Sequence, residues 1–240
     1  MKLGRRELAL LAAIAVLFAL PLGGVSGFYT VATLRNLIID NLPLLIAAAG
    51  MTIVIIAGQI DISVGSQFVV SGVVAGLTAR AGWPMPVVVL TTLGAGATFG
   101  ALSGWLVTRV GLPAIIATLA TLVLGRNALI LATGGDWIQN LPAGFQWFGL
   151  SQAIAQPTYI AAAALVFAGL VWALRHTAAA RSVYAVGCDH EAARRIGLRP
   201  RAVVFGAFVA LGVLTALAAI LNFTRYPTIE TNAGLGFELK

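Results

Sequence analysis

The chain has 240 residues, 60% of them apolar and only 10% charged, with a mean hydropathy of +0.97. A soluble domain carries about 25% charged residues. Fifteen basic and eight acidic side chains cannot solvate such a surface in water, and a disordered chain, which needs low hydrophobicity, is excluded by the same numbers.

In chain order, apolar runs occupy residues 8–25, 37–60, 62–79, 85–108, 112–132, 158–174 and 203–223. Each is near the ~20 residues that a helix needs to cross about 30 Å of hydrocarbon. They are continuous rather than alternating, which excludes barrel strands. The expected fold is therefore all-α, a polytopic transmembrane helix bundle of about seven spans. The first run follows Lys2, Arg5 and Arg6 and precedes Val25, Ser26 and Gly27, so a cleaved signal peptide is an alternative to a retained helix. Its length favours the helix, since a signal core has about 7–15 apolar residues.

Lysine and arginine in short loops set the orientation. With the amino terminus inside, Lys2, Arg5, Arg6, Arg109, Arg175, Arg181, Arg194, Arg195, Arg199 and Arg201 all fall inside. Arg35, Arg80, Arg225 and Lys240 fall outside, and the long loop 133–157 has no basic residue. The expected location is a bacterial inner membrane with a cytoplasmic amino terminus.

Several chemistries are missing. Lys2 and Lys240 are the only lysines, so no phosphate-binding loop ending in Gly-Lys-Ser/Thr exists. No nucleophile–base pair suggests an enzyme. The single cysteine, Cys188, and the two histidines, His176 and His190, exclude a disulfide and make neither a metal site nor a cofactor expected. The net charge of +7 does not point to nucleic acid, because the aromatic residues sit in spans and outer loops, away from the inner arginines.

Five features could carry function. Between the second and third runs there is almost no loop, and Asp61, Ser63, Gly65 and Ser66 stand at the junction. An aspartate at mid-membrane costs about 2.5–3.5 kcal/mol. It fits either a helix cap at a tight turn or a broken helix lining a polar path. Gly96, Gly100 and Gly104, and again Gly72 and Gly76, are spaced by four, the step that lets helix backbones approach closely. Arg126, about 9 Å from the outer end of its run, either snorkels or, with Asn127, faces a hydroxylated solute. The outer-loop aromatics, Trp137, Phe145, Trp147 and Phe148, either anchor helix ends or dock a soluble partner. In the inner loop, Glu191 through Ile196 favours a short helix, with Asp189 as cap and Gly197 as terminator. That stretch reads either as a basic segment drawn to membrane lipid or as a helix fitting a groove on a cytoplasmic protein.

Two of these segments together resemble the permease subunits of ATP-binding-cassette (ABC) importers for ribose, rhamnose, autoinducer-2 and related sugars. The first signature is Gly50-Met51-Thr52, Val54-Ile55 and Ile60 through Ser66; the second is Ala185-Val186-Gly187, Ala192-Ala193 and Gly197. Residues 113–122 and 133–142 are also similar, the latter especially to the autoinducer-2 and rhamnose branches, and so are Gly234, Glu238 and Leu239. The chain departs from the family at Asp189, where asparagine is usual, and at Gln59, where a second glycine is usual. The family has roughly ten helices, so residues 1–240 resemble a single permease domain's amino-terminal portion, truncated before the next helix.

What the resemblance implies is a pore of two permease subunits, alike or different, with a periplasmic sugar-binding protein outside and cytoplasmic ABC ATPase subunits inside. It implies a coupling loop at residues 175–202, with Gly187, Glu191, Ala192, Ala193 and Gly197 meeting the ATPase. Asp61, Ser63, Ser66, Arg126 and Asn127 are the candidates for the substrate path. The alternative is a secondary transporter or channel, which would need titratable groups inside the bundle.

Overall fold

The computed structural model describes residues 10–14, 16, 19 and 30–231. Most of the first apolar run, the basic residues that precede it, and the stretch from Gly234 to Lys240 lie outside the described residues. Residues 10–14 are helical. The chain divides between Asp40 and Asn41 into two compact units, and the second carries every site described below.

The described part is predominantly helical, as expected, and among the described residues no strand extends beyond an isolated bridge. The helices are α1 (Val31–Ile56), α2 (Val64–Arg80), α3 (Met85–Trp105), α4 (Ala114–Thr133), α5 (Gln152–His176), α6 (Ala178–Cys188), α7 (His190–Arg195) and α8 (Pro200–Phe223). Five of them are long and apolar enough to cross a membrane: α1, α3 with its extension to Val110, α4, α5 and α8. Each matches one of the apolar runs. The run at 62–79 becomes α2, which has 17 residues and so extends about 25 Å, short of the full hydrocarbon thickness. Most of its side chains are buried within the chain; it is a central helix walled by protein more than a lipid-facing one.

Helix ends follow the local sequence. Pro84, Pro113 and Pro200 stand at the starts of α3, α4 and α8, where a missing N–H costs nothing. Gly111 and Gly134 end α3's extension and α4 in the left-handed conformation, which lacks a steric penalty only for glycine. The last turn of α3 widens into a π-helix over Leu106–Val110. Helix α5 begins at Gln152, ahead of the apolar run at 158–174, and carries Pro157 in its second turn.

The core is a layer in which α8 packs on α3 and α2, and α2 also packs on α4. The α3–α8 contact uses the glycines that the spacing singles out. A methyl group on Gly96 would strike the carbonyl of Gly212, and one on Gly100 the carbonyl of Phe208. The backbones therefore touch directly, a packing mode that suits lipid, where apolar surface alone gives helices no reason to associate. Gly72 and Gly76 serve differently: they make room for the Phe223 ring and for Ile229.

Candidate functional site

Helix α1 ends at Ile56 and α2 begins at Val64. The break between them holds Asp61, which is 1% exposed. A buried carboxyl group must find donors, and Asp61 finds three. Its Oδ1 accepts from the Ser63 amide at 2.7 Å and the Ser63 hydroxyl at 2.5 Å, and its Oδ2 accepts from Gln67 Nε2 at 2.9 Å. Gln67 Nε2 also donates to Ser63 Oγ at 2.8 Å. The Ser66 hydroxyl donates back to the Ser63 carbonyl. Helix α4 closes the group from across the bundle, where Thr118 Oγ1 accepts from the Ile62 amide at 3.2 Å. Ser63, Ser66, Gln67 and Thr118 are all buried.

The cap reading of this junction is realised in part. Asp61 does brace the start of α2, though through the Ser63 amide and not through amides of the first helical turn. Helical structure is also interrupted between Ile56 and Val64; within the interruption Asp61 and Ser63 are buried, whereas Gly58 and Ile60 are exposed. Gln67 Oε1 and Ser71 Oγ, one turn apart on α2, have no hydrogen-bond partner among the described residues. They continue the polar stripe that Ser63 and Gln67 begin.

Helices α6 and α7 form an elbow between α5 and α8. Asp189 caps α7, its Oδ1 accepting from the amides of Glu191 at 2.8 Å and Ala192 at 3.0 Å. The Ala192 and then the Glu191 amides hold the exposed Asp189 carboxyl below the usual carboxylate range, since both bonds favour its charged form. Glu191 pairs with Arg195 one turn on, at 2.7 Å, with both side chains exposed. Gly197, at φ +88°, ends the helix, and Ala193 is buried beneath it. Cap, short helix and terminator fall where the sequence predicts them.

The two segments meet. Gly187, in the last turn of α6, lies so close to the Ile56 carbonyl that a methyl group could not be accommodated. Gly58, in the break, is in van der Waals reach of Gly187. The elbow thus rests on the end of α1, five residues before Asp61, where Gly58 in the left-handed conformation closes the helix and the Gln59 amide donates to the Val54 carbonyl.

The remaining candidates lie apart from this group. Arg126 is half-buried on α4, and Asn127 is exposed, its amide nitrogen donating to the Val123 carbonyl of its own helix at 2.9 Å. Residues Thr118, Thr121 and Gly125 form the buried face of α4. The loop between α4 and α5 is folded and not a row of free anchors. Phe145 is fully buried, Ile138 pairs with Ile229, the Trp147 amide bonds to the Thr224 carbonyl, and Tyr159 Oη shares a 2.8 Å hydrogen bond with Thr224 Oγ1. Trp137 alone among the loop's large aromatic side chains is as much as half exposed.

Sequence reasoning did not single out Gln67, Thr118 or Gly212. Gln67 was within reach, being one helical turn from Ser63. Thr118 and Gly212 were not, because each joins its partner across a large sequence separation.

Comparison with known proteins places the sequence in a family. Residues 33–240 match the family described as "Branched-chain amino acid transport system / permease component". The autoinducer 2 import system permease protein LsrC of Escherichia coli O9:H4 (strain HS) is 37% identical over 98% of this chain and 69% of its own length. The protein of the same name from Salmonella typhimurium is 36% identical over 98% of this chain and 68% of its own. That of Escherichia coli K12 (DH10B) is 34% identical over 98% and 69%. No solved structure matches. The match runs through the Asp61 break, the glycine seam and the α6–α7 elbow alike, and the chain belongs to this family of transport-system permease components, a family of transporters and not of enzymes.

Proposed function

We propose that the chain is the membrane subunit of an ABC importer that moves a monosaccharide or sugar-like molecule of the ribose, rhamnose or autoinducer-2 class. It does so by alternating access across the bacterial inner membrane, with its amino terminus inside. The relatives named as autoinducer 2 import permeases support the substrate class. The single observation that carries the mechanism is the seat of Gly187 on Ile56 and Gly58.

In this reading α7 is the coupling helix. An ATPase subunit grips the exposed turn bearing Glu191 and Ala192, while Ala193 and Gly197 fix its pose. Closure of the ATPases pushes the elbow, and Gly187 passes the push to the broken end of α1. A helix already interrupted at residues 57–63 can hinge there without losing ladder hydrogen bonds. The Asp61–Ser63–Gln67 group holds α2 in one piece during that motion. An uncharged sugar requires matched donors and acceptors and not a strong charge, which the polar stripe of Ser63, Ser66, Gln67 and Ser71 supplies. Arg126 and Asn127 belong to the path only where a second permease subunit faces α4. A periplasmic sugar-binding protein would meet the folded outer cover.

Co-purification with the system's ATPase subunits tests this. Wild type retains the ATPase, and Glu191→Arg, which breaks the exposed Arg195 pair and reverses the charge, loses most of it while the variant's melting temperature stays within a few degrees. Absence of ATPase from the wild-type preparation, or full retention by the variant, would refute the role of α7.

A further inference from the structure

The elbow leaves three arginines unused. Arg109, in the π-helical end of α3, and Arg199 and Arg201, at the start of α8, converge on one cavity of about 510 Å³. Trp105, Thr108 and Phe205 complete its wall. None of the three guanidinium groups has a hydrogen bond or ion pair to any described residue, and no carboxylate lines the cavity. The adjoining groove shares Arg199 and Arg201 and contains Glu191, but that carboxylate is engaged by Arg195. Thr108 spends its hydroxyl on the Gly104 carbonyl of its own helix. The wall therefore combines three cationic side chains with two aromatic ones.

Its position matters as much as its charge. The cavity sits where two apolar spans, Met85–Val110 and Pro200–Phe223, end side by side. Trp105 is half exposed there, as tryptophans are at the level of lipid headgroups. The extra residue per turn of a π-helix changes the direction of the side chains that follow, and here it is the turn that carries Arg109. Three like charges brought together without a protein partner repel one another. Such a cluster persists at small cost when an anion neutralises it.

We infer that Trp105, Arg109, Arg199 and Arg201 form a headgroup site for an anionic phospholipid in the cytoplasmic leaflet, the guanidinium forks holding the phosphodiester and Trp105 and Phe205 covering the first carbons of its chains. Arginine suits this role because its planar fork matches a phosphate with two hydrogen bonds. The site depends on the membrane reading of the chain and not on which cargo it carries or on its ATPase.

The test reconstitutes the full chain in nanodiscs of phosphatidylcholine with a minor share of phosphatidylglycerol. Retained lipid is counted by native mass spectrometry, and Trp105 is monitored by difference fluorescence against Trp105→Phe. Wild type retains phosphatidylglycerol in preference to phosphatidylcholine. Arg109→Gln alone lowers that preference about fivefold, and adding R199Q and R201Q lowers it by a similar factor each, the weight of one basic residue at an anionic surface. R175Q/R181Q, which removes charge elsewhere on the same elbow, leaves it within twofold. Inorganic phosphate added in excess does not displace the lipid. The inference is overturned if wild type shows no preference, if R109Q/R199Q/R201Q keeps it, or if R175Q/R181Q loses it equally. Displacement by inorganic phosphate would overturn the lipid as the source of the phosphate. Loss of ATPase binding in the triple variant with no change in lipid retention would assign the arginines to the ATPase and overturn it as well.

Discussion

Asp61 illustrates how much one buried carboxyl group can organise. Its three donors come from Ser63 and Gln67, and truncation would leave them without acceptors in the core. Asp61→Ala is expected to destabilise the chain by about 2–3 kcal/mol, the cost of orphaned buried donors. Asp61→Asn keeps one acceptor oxygen and costs about half as much. Thermal unfolding in detergent reads the difference, and equal melting of wild type and Asp61→Ala would contradict the arrangement. Asp189 makes the corresponding prediction for pH. Two amides hold its carboxyl below the usual carboxylate range, so the cap's contribution is complete above that range and fades as pH falls through the lowered value. Protection of the Glu191 and Ala192 amides, corrected for intrinsic exchange, should follow that step, and Asp189→Asn should abolish it. Protection in the wild type that does not change with pH would show that the carboxylate is not the cap.

At the level of helices, the α3–α8 seam is the most demanding contact. Gly96, Gly100 and Gly212 each face backbone or Cβ atoms across it, so an added methyl group must part the helices. Gly96→Ala or Gly212→Ala is expected to cost about 1–3 kcal/mol, the usual penalty for overpacking. Gly94, on the same helix, faces open space, and Gly94→Ala should stabilise by about 0.5–1 kcal/mol, since glycine is a poor helix former. Melting temperatures that move the same way for Gly94 and Gly96 would show that the seam is not tight. The glycine ladder on α3 could be read from its four-residue step, and so could the α7 cap and terminator, because both signals are local. Residue spacing identified the Asp61 junction but not the identity of its supports. Thr118 lies 56 positions further along, and no periodicity within one helix points to a partner in another. The apolar run at 62–79 reads as a span like the others, but the helix there is short and its burial is supplied by α3, α4 and α8, which no local pattern shows. The outer loop was the least legible part. Its aromatics carry the composition of an interfacial belt, yet their packing on Thr224, Tyr159 and Ile229 depends on the end of α8, which is distant in sequence.

The whole molecule combines membership of a family of transport permeases, a break between two helices organised by Asp61, and an elbow seated beside that break through Gly187. The inner arginines then have two separate tasks. Arg195 steadies Glu191 on the elbow, whereas Arg109, Arg199 and Arg201 face lipid. The α2–α3–α8 layer is the close-packed part, and in the proposed mechanism motion enters at the end of α1. Everything rests on the elbow lying in the cytoplasm, where an ATP-hydrolysing partner can reach it. The chain provides its own reporter, because Cys188 is its only cysteine and is exposed at the end of α6. With the chain expressed without ATPase subunits, a membrane-impermeant maleimide should leave Cys188 unlabelled in spheroplasts and label it in inside-out vesicles. Labelling from the periplasmic face would place the elbow outside and contradict the mechanism.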